Sequence, residues 1–161
     1  MKSYTAIFAT LVFLATTLLG QTVEVSAPHL TDSDIQLLRS NLQSEKNDII
    51  THNMRFTEAE SASFWPVYRA YVRDQNTLAD TRMQLITEYA TSLENMNDSK
   101  AKDLAERMMK VDADTLSLRE KYWPQFEKAL GGKKAAKFYQ VDDRLSLMID
   151  VQLASQIPLI P

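Results

Sequence analysis

From Phe64 onward, apolar side chains return every three or four residues. Phe64, Val67, Tyr68, Tyr71, Val72, Leu78, Leu85, Ile86, Tyr89 and Leu93 follow steps of three, four and seven. That spacing marks one face of an α-helix and does not fit the alternation of a strand. The period returns in Leu104, Met108, Val111, Leu116, Tyr122, Trp123, Phe126 and Leu130, and again in Phe138, Val141, Leu145, Met148, Ile149 and Gln152. A weaker series, Ile35, Leu38, Leu42, Ile49 and Met54, comes first. Its middle, Gln43 to Asp48, is polar and predicts a helix that is loosely packed or broken there.

Start and stop signals divide these stretches into four helices. Thr31, followed by Asp34, opens the first, since a hydroxyl and an acid satisfy free first-turn amides. Thr57 and Glu60 form a capping box for the second, which should run to about Met96. Asn97-Asp98-Ser99 is a turn and cap cluster, and the third helix should cover Lys100 to Leu130. Gly131-Gly132 ends it through a left-handed glycine. The fourth should run from Lys133 to about Ser155, because Pro158 disfavours helix in the residue before it. The apolar tail beyond should pack back on the body or on a partner.

The two longest helices share an internal repeat. Phe64-Trp65-Pro66-Val67-Tyr68 returns as Tyr122-Trp123-Pro124-Gln125-Phe126, and these hold the only two tryptophans. A proline inside a helix deletes one backbone hydrogen bond and clashes one turn back, so each should bend its helix. A second helix of roughly 38 residues would reach nearly 60 Å, which implies an elongated molecule or an oligomer. The fold expected is all-α. Two long Pro-bent helices form an antiparallel hairpin, flanked by two more, in a single helical domain over residues 31–161. Only three glycines in 161 residues agree with it, since β-turns use more.

Composition narrows the function. The net charge is −3 with no strongly basic tract, so nucleic-acid binding is not expected. Met1-Lys2 and the apolar run Ala6–Leu19 read as a secretory signal peptide, too short to span a bilayer. It covers residues 1–20, or extends to 27 if cleavage follows Val25-Ser26-Ala27. Residues 21–30 form a flexible leader. An exported, periplasmic location with no stable membrane anchor is therefore expected. There is no cysteine, which removes disulfides, thiol catalysis and thiolate metal sites.

Candidate chemistry is sparse. His29 and His52 are the only histidines and share no ligand spacing with acids, so no metal or other cofactor is expected. No serine sits in a glycine-flanked elbow, and no residue is nominated for catalysis. Asp112, Asp114 and the pair Asp142-Asp143 read as solvated helix faces, the latter able to pair with lysines one turn earlier. Lys128, Lys133, Lys134 and Lys137 read as a solubilising patch. Of Met108 and Met109, one should be the more exposed. The aromatic repeat has two readings. Both copies are core, or part of the cluster lines a concave face that binds apolar peptide. Trp65, Tyr68, Tyr71, Trp123 and Phe126 are the candidates for that lining.

Phe56-Thr57-Glu58-Ala59-Glu60, opening a long helix in an exported, cysteine-free, four-helix chain, resembles the LTxxQ-motif family of Spy/CpxP-like periplasmic chaperones. Phe stands for Leu and Glu for Gln. At the place of a second motif, Leu130-Gly131-Gly132-Lys133-Lys134, the leucine is kept. The resemblance covers roughly Thr31 to Leu153. It implies a curved helical homodimer that cradles unfolded or partly folded exported proteins without ATP, an envelope-stress role and no enzymatic activity. Phe56, Thr57 and Glu60 carry the motif, and with Pro66, Pro124, Gly131 and Gly132 from the helix signals above they are assigned structural parts. The net acidic charge departs from the positive cradle described for Spy-like chaperones. The alternative is a structural or regulatory protein for one fixed partner. Less favoured is a periplasmic metal sensor, which would call on His29 and His52.

Overall fold

A computed structural model describes residues 32–155 and 157–160. The expected signal peptide and leader, the expected Thr31 cap and His29 lie outside the described residues, as do the side chains of Ile35 and Leu38. Four helices form the fold: α1 (Asp32–Met54), α2 (Glu58–Ser92), α3 (Asp98–Leu130) and α4 (Gly132–Ala154), with a 3₁₀ turn at Leu93–Asn95. No strand occurs among the described residues, so the chain is all-α.

The start of α2 is built as its sequence requires. Thr57 N–H donates to Glu60 Oε2 at 2.7 Å, and Glu60 N–H donates to Thr57 Oγ1 at 3.3 Å. Lys134 also binds that carboxylate, which ties the start of α4 to the start of α2. The cap of α3 is Asn97, whose side-chain oxygen accepts from Lys100 N–H at 3.0 Å. Helix α3 therefore starts at Asp98, two residues before the expected Lys100.

Both α2 and α3 are assigned as continuous helix through Pro66 and Pro124. Each proline removes one backbone donor. Both prolines are exposed, as are Ala62 and Glu120 one turn before them, so water reaches the freed carbonyls. Helix α2 has 35 residues, about 52 Å at the usual rise.

The hairpin is antiparallel, as its cross-links show. Phe64 meets Phe126, Asp74 meets Lys121, Arg82 meets Asp112, and Glu88 meets Lys100, converging toward the turn. Helix α4 packs on α3 and on α1. Six buried rings, Phe64, Tyr68, Tyr71, Tyr122, Phe126 and Phe138, fill the centre beside Ile50 and Met54. Their closest centroids lie 4.5 Å apart, at Phe126–Phe138, with Phe64–Phe138 at 5.0 Å. A smaller cluster, Leu85, Leu104 and Val111, closes the distal part of the hairpin.

Three expectations about faces are corrected. Helix α1 is unbroken through its polar middle, and it buries Lys46, Ile50 and Met54 while Leu42 and Ile49 are exposed. On α3, Leu118 is buried and Leu116 exposed. On α4, Asp142 is buried and Met148 exposed. In each case the neighbouring helix sits a fraction of a turn from where apolar periodicity alone would place it. Met109 is exposed and Met108 half-buried, as their adjacency required.

Gly131 departs from the left-handed C-cap expected of it. Its φ is +75° but its ψ is 154°, an extended positive-φ geometry open to glycine alone. This residue turns the chain from α3 into α4 in a single step. Gly132 is ordinary helix and already part of α4. Lys134 and Lys137 donate to the carbonyls of Arg55 and Asn53 at the end of α1. The presumed solubilising patch thus contributes two caps.

Candidate functional site

The five aromatics proposed as a concave lining separate into two groups. Tyr68, Tyr71 and Phe126 are buried in the core and face no solvent, which corrects their assignment to a surface. Their period places them at the centre of the helix–helix seam. Trp65 is half-buried and Trp123 is 37% exposed, so the tryptophans alone remain accessible. Each tryptophan is offset by one position from a buried ring, which rotates it about 100° around the helix.

Trp65 lines an open depression of about 670 Å³ at the corner between α1 and α2. Phe56, Ala62 and Pro66 supply its other apolar walls, with Arg55, Arg69 and Glu58 around them. Phe56 stands 6.0 Å from Trp65, edge to face, and Phe64 and Tyr68 back the indole from beneath at 5.1 and 5.5 Å. This backing fixes the indole, so its outer face is presented without reordering. Arg55 holds a φ of +46°, an uncommon conformation for a residue with a side chain, and it closes α1 through a bond from its N–H to Thr51.

A second feature lies inside the bundle and was missed from sequence. Each helix contributes polar residues to one largely buried polar cluster. Tyr71 Oη donates to Asp142 Oδ2 at 2.8 Å. Gln75 Nε2 donates to Tyr71 Oη at 3.4 Å, and Lys46 Nζ donates to Gln75 Oε1 at 3.5 Å. Gln43 Nε2 donates to Tyr68 Oη at 3.2 Å. Arg119 Nη1 binds Asp143 Oδ1 at 3.1 Å. The expectation of a solvated Asp142-Asp143 face is therefore corrected: Asp142 is 2% exposed. Two cations face two carboxylates, so the network is balanced in charge, as burial demands.

The electrostatics follow from burial. Desolvation lowers the Lys46 pKa, with Asp142 opposing and Arg119 adding to the effect. Burial pushes the Tyr68 hydroxyl up to about 12. Burial, and then the Asp142 charge, raise Tyr71 further. For Arg119, burial pulls downward, but Tyr71, Asp142 and Asp143 outweigh it and the net direction is upward. At the surface, the Lys134 bond, then the Thr57 N–H, hold Glu60 below the usual carboxylate range.

A signal for this network existed in the spacing. Asp142 stands four residues after Phe138 on the buried stripe of α4, and Lys46 stands four before Ile50 on that of α1. Polar residues on an apolar stripe mark a partner across the interface. Among the described residues, no three His, Asp or Glu side chains gather to hold a metal. No described helix is long and apolar enough to cross a membrane. No family model, curated protein or solved structure matches this chain.

Proposed function

We propose that this chain is an exported, ATP-independent binding protein that receives apolar peptide segments at the Trp65 depression, in the manner of a Spy/CpxP-like chaperone or envelope-stress accessory. The observation that carries the reading is the coincidence of this open depression with one copy of the aromatic-Trp-Pro repeat. Trp65 and Phe56 supply stacking area for a client side chain. Pro66 lacks an N–H, so that wall asks for no hydrogen bond from an apolar guest. Arg55 and Arg69 are exposed at the rim and select segments flanked by acids. The resemblance of Phe56-Thr57-xx-Glu60 to the chaperone motif, and the apolar run at the N-terminus, support export and client binding.

The test is aggregation suppression with two unrelated, chemically unfolded clients, without ATP, followed by light scattering. Suppression of both, weakened at least several-fold in folded Trp65→Ala, is the expected result. Trp123→Ala should weaken it less, because Trp123 lies outside this depression. Suppression of neither client would refute the chaperone reading. In that case the alternative, one fixed partner, is favoured by a second surface. Leu147, Met148, Val151 and Leu159 are all more than half exposed on and beyond the C-terminal part of α4.

A further inference from the structure

Two polar atoms in the buried network have no protein partner: Arg119 Nε and Asp142 Oδ1, both sealed from solvent. Both residues line one small cavity of about 20 Å³, walled by Trp123, Phe126, Phe138 and Tyr139. The residues that line the cavity, Tyr71 among them, therefore carry one unsatisfied donor and one unsatisfied acceptor. We propose that it is a binding site for a single water molecule, which accepts from Arg119 Nε–H and donates to Asp142 Oδ1.

The size and the charge of the cavity select this occupant. A water needs a cavity of at least about 10–15 Å³ and two or more polar partners, and both conditions are met. No organic ligand fits so small a volume. A cation bound to Asp142 would face the Arg119 guanidinium, and an anion bound to Arg119 would face the Asp142 carboxylate. Only a small neutral molecule that both donates and accepts satisfies the pair. Each orphaned group belongs to a charged side chain, so leaving it dry would carry the full desolvation penalty.

The water completes a polar path through all four helices. It runs from Lys46 on α1 through Gln75 and Tyr71 on α2 to Asp142 on α4, then through the water to Arg119 on α3 and back to Asp143 on α4. Trp123 and Tyr139, 37% and 41% exposed, form the outer wall and stand between the site and bulk solvent.

The experiment is a high-resolution crystal structure together with oxygen-17 water relaxation dispersion on the full chain. The expected crystal shows one ordered water within about 3 Å of both Arg119 Nε and Asp142 Oδ1. The expected dispersion amplitude falls by one long-lived water in Asp142→Leu. If that variant fails to fold, Arg119→Met, which keeps the chain length but loses the donor, carries the same comparison. A dry cavity would overturn the proposal. So would a direct Arg119–Asp142 bond that closes the cavity, or an amplitude unchanged in the folded variant.

Discussion

Removing one oxygen from Tyr71 isolates the energetic weight of the buried network. Tyr71→Phe keeps the ring, and with it the contacts to Tyr122 and Phe126 at 5.4 and 5.6 Å. Among the described residues it deletes the one side-chain donor to Asp142 Oδ2, while Oδ1 has no protein partner there. The carboxylate stays where it is, 2% exposed. A hydrogen bond to a charged group contributes about 1.5–3 kcal/mol, and leaving a buried charged acceptor unmade costs at least the upper part of that range. The expected loss is therefore about 2–3 kcal/mol. In a domain of this size that lowers Tm by roughly 5–10 °C. Urea unfolding followed by circular dichroism measures it, with Tyr68→Phe as control. Tyr68 accepts one bond from the part-buried Gln43 amide, so its loss at neutral pH should be nearer 1 kcal/mol. The double variant Tyr71→Phe/Asp142→Leu completes the test. Replacing both partners removes the stranded charge, so it should lose less than the two single changes added together, by at least about 1 kcal/mol. A Tyr71→Phe protein within about 0.5 kcal/mol of the parent would refute the reasoning and show Asp142 to be satisfied by other means.

Gly131→Ala should destabilise by about 1–3 kcal/mol through backbone strain alone, since an added Cβ would meet nothing within 4 Å. Gly132→Ala, in ordinary helix and 3.5 Å from the flexible Glu127 side chain, should be neutral or stabilising by thermal melting. Thr57→Ala should cost about 1 kcal/mol by removing one half of the capping box, and an unchanged melting temperature would count against that role. Stability should also fall at high pH. Tyr68 titrates near 10 when unfolded and at about 12 when folded, so the unfolded chain sheds its proton first. Its contribution is complete below pH 10 and disappears as pH rises to about 12, a loss of roughly 2–3 kcal/mol. Tyr68→Phe should flatten the alkaline arm of the stability profile by that amount, as read by urea midpoints at stepped pH.

Helix number and order were legible in the sequence, and most boundaries to within a few residues, because they rest on local chemistry; α2 ends at Ser92, four residues short of the expected Met96. The capping box at Thr57, the asparagine cap at Asn97, the glycine at 131 and the proline at 158 each act within one turn of themselves. The seam between α2 and α3 was legible for the same reason, since Phe64, Tyr68, Tyr71, Tyr122 and Phe126 repeat with the helical period. Tertiary structure decided which rings stay accessible. Burial depends on where a second helix lies, and a shift of one residue moves a side chain about 100° around the axis. Trp65 and Trp123 therefore remain at the surface while their neighbours form the core. The buried network lay beyond local reasoning for a deeper reason. Lys46, Gln75, Arg119 and Asp142 are scattered through the chain, and the stripe positions of Lys46 and Asp142 mark burial without saying which residues they meet. Only packing four helices around one point makes their charges satisfy one another, because desolvation penalises each of them until the others are in place.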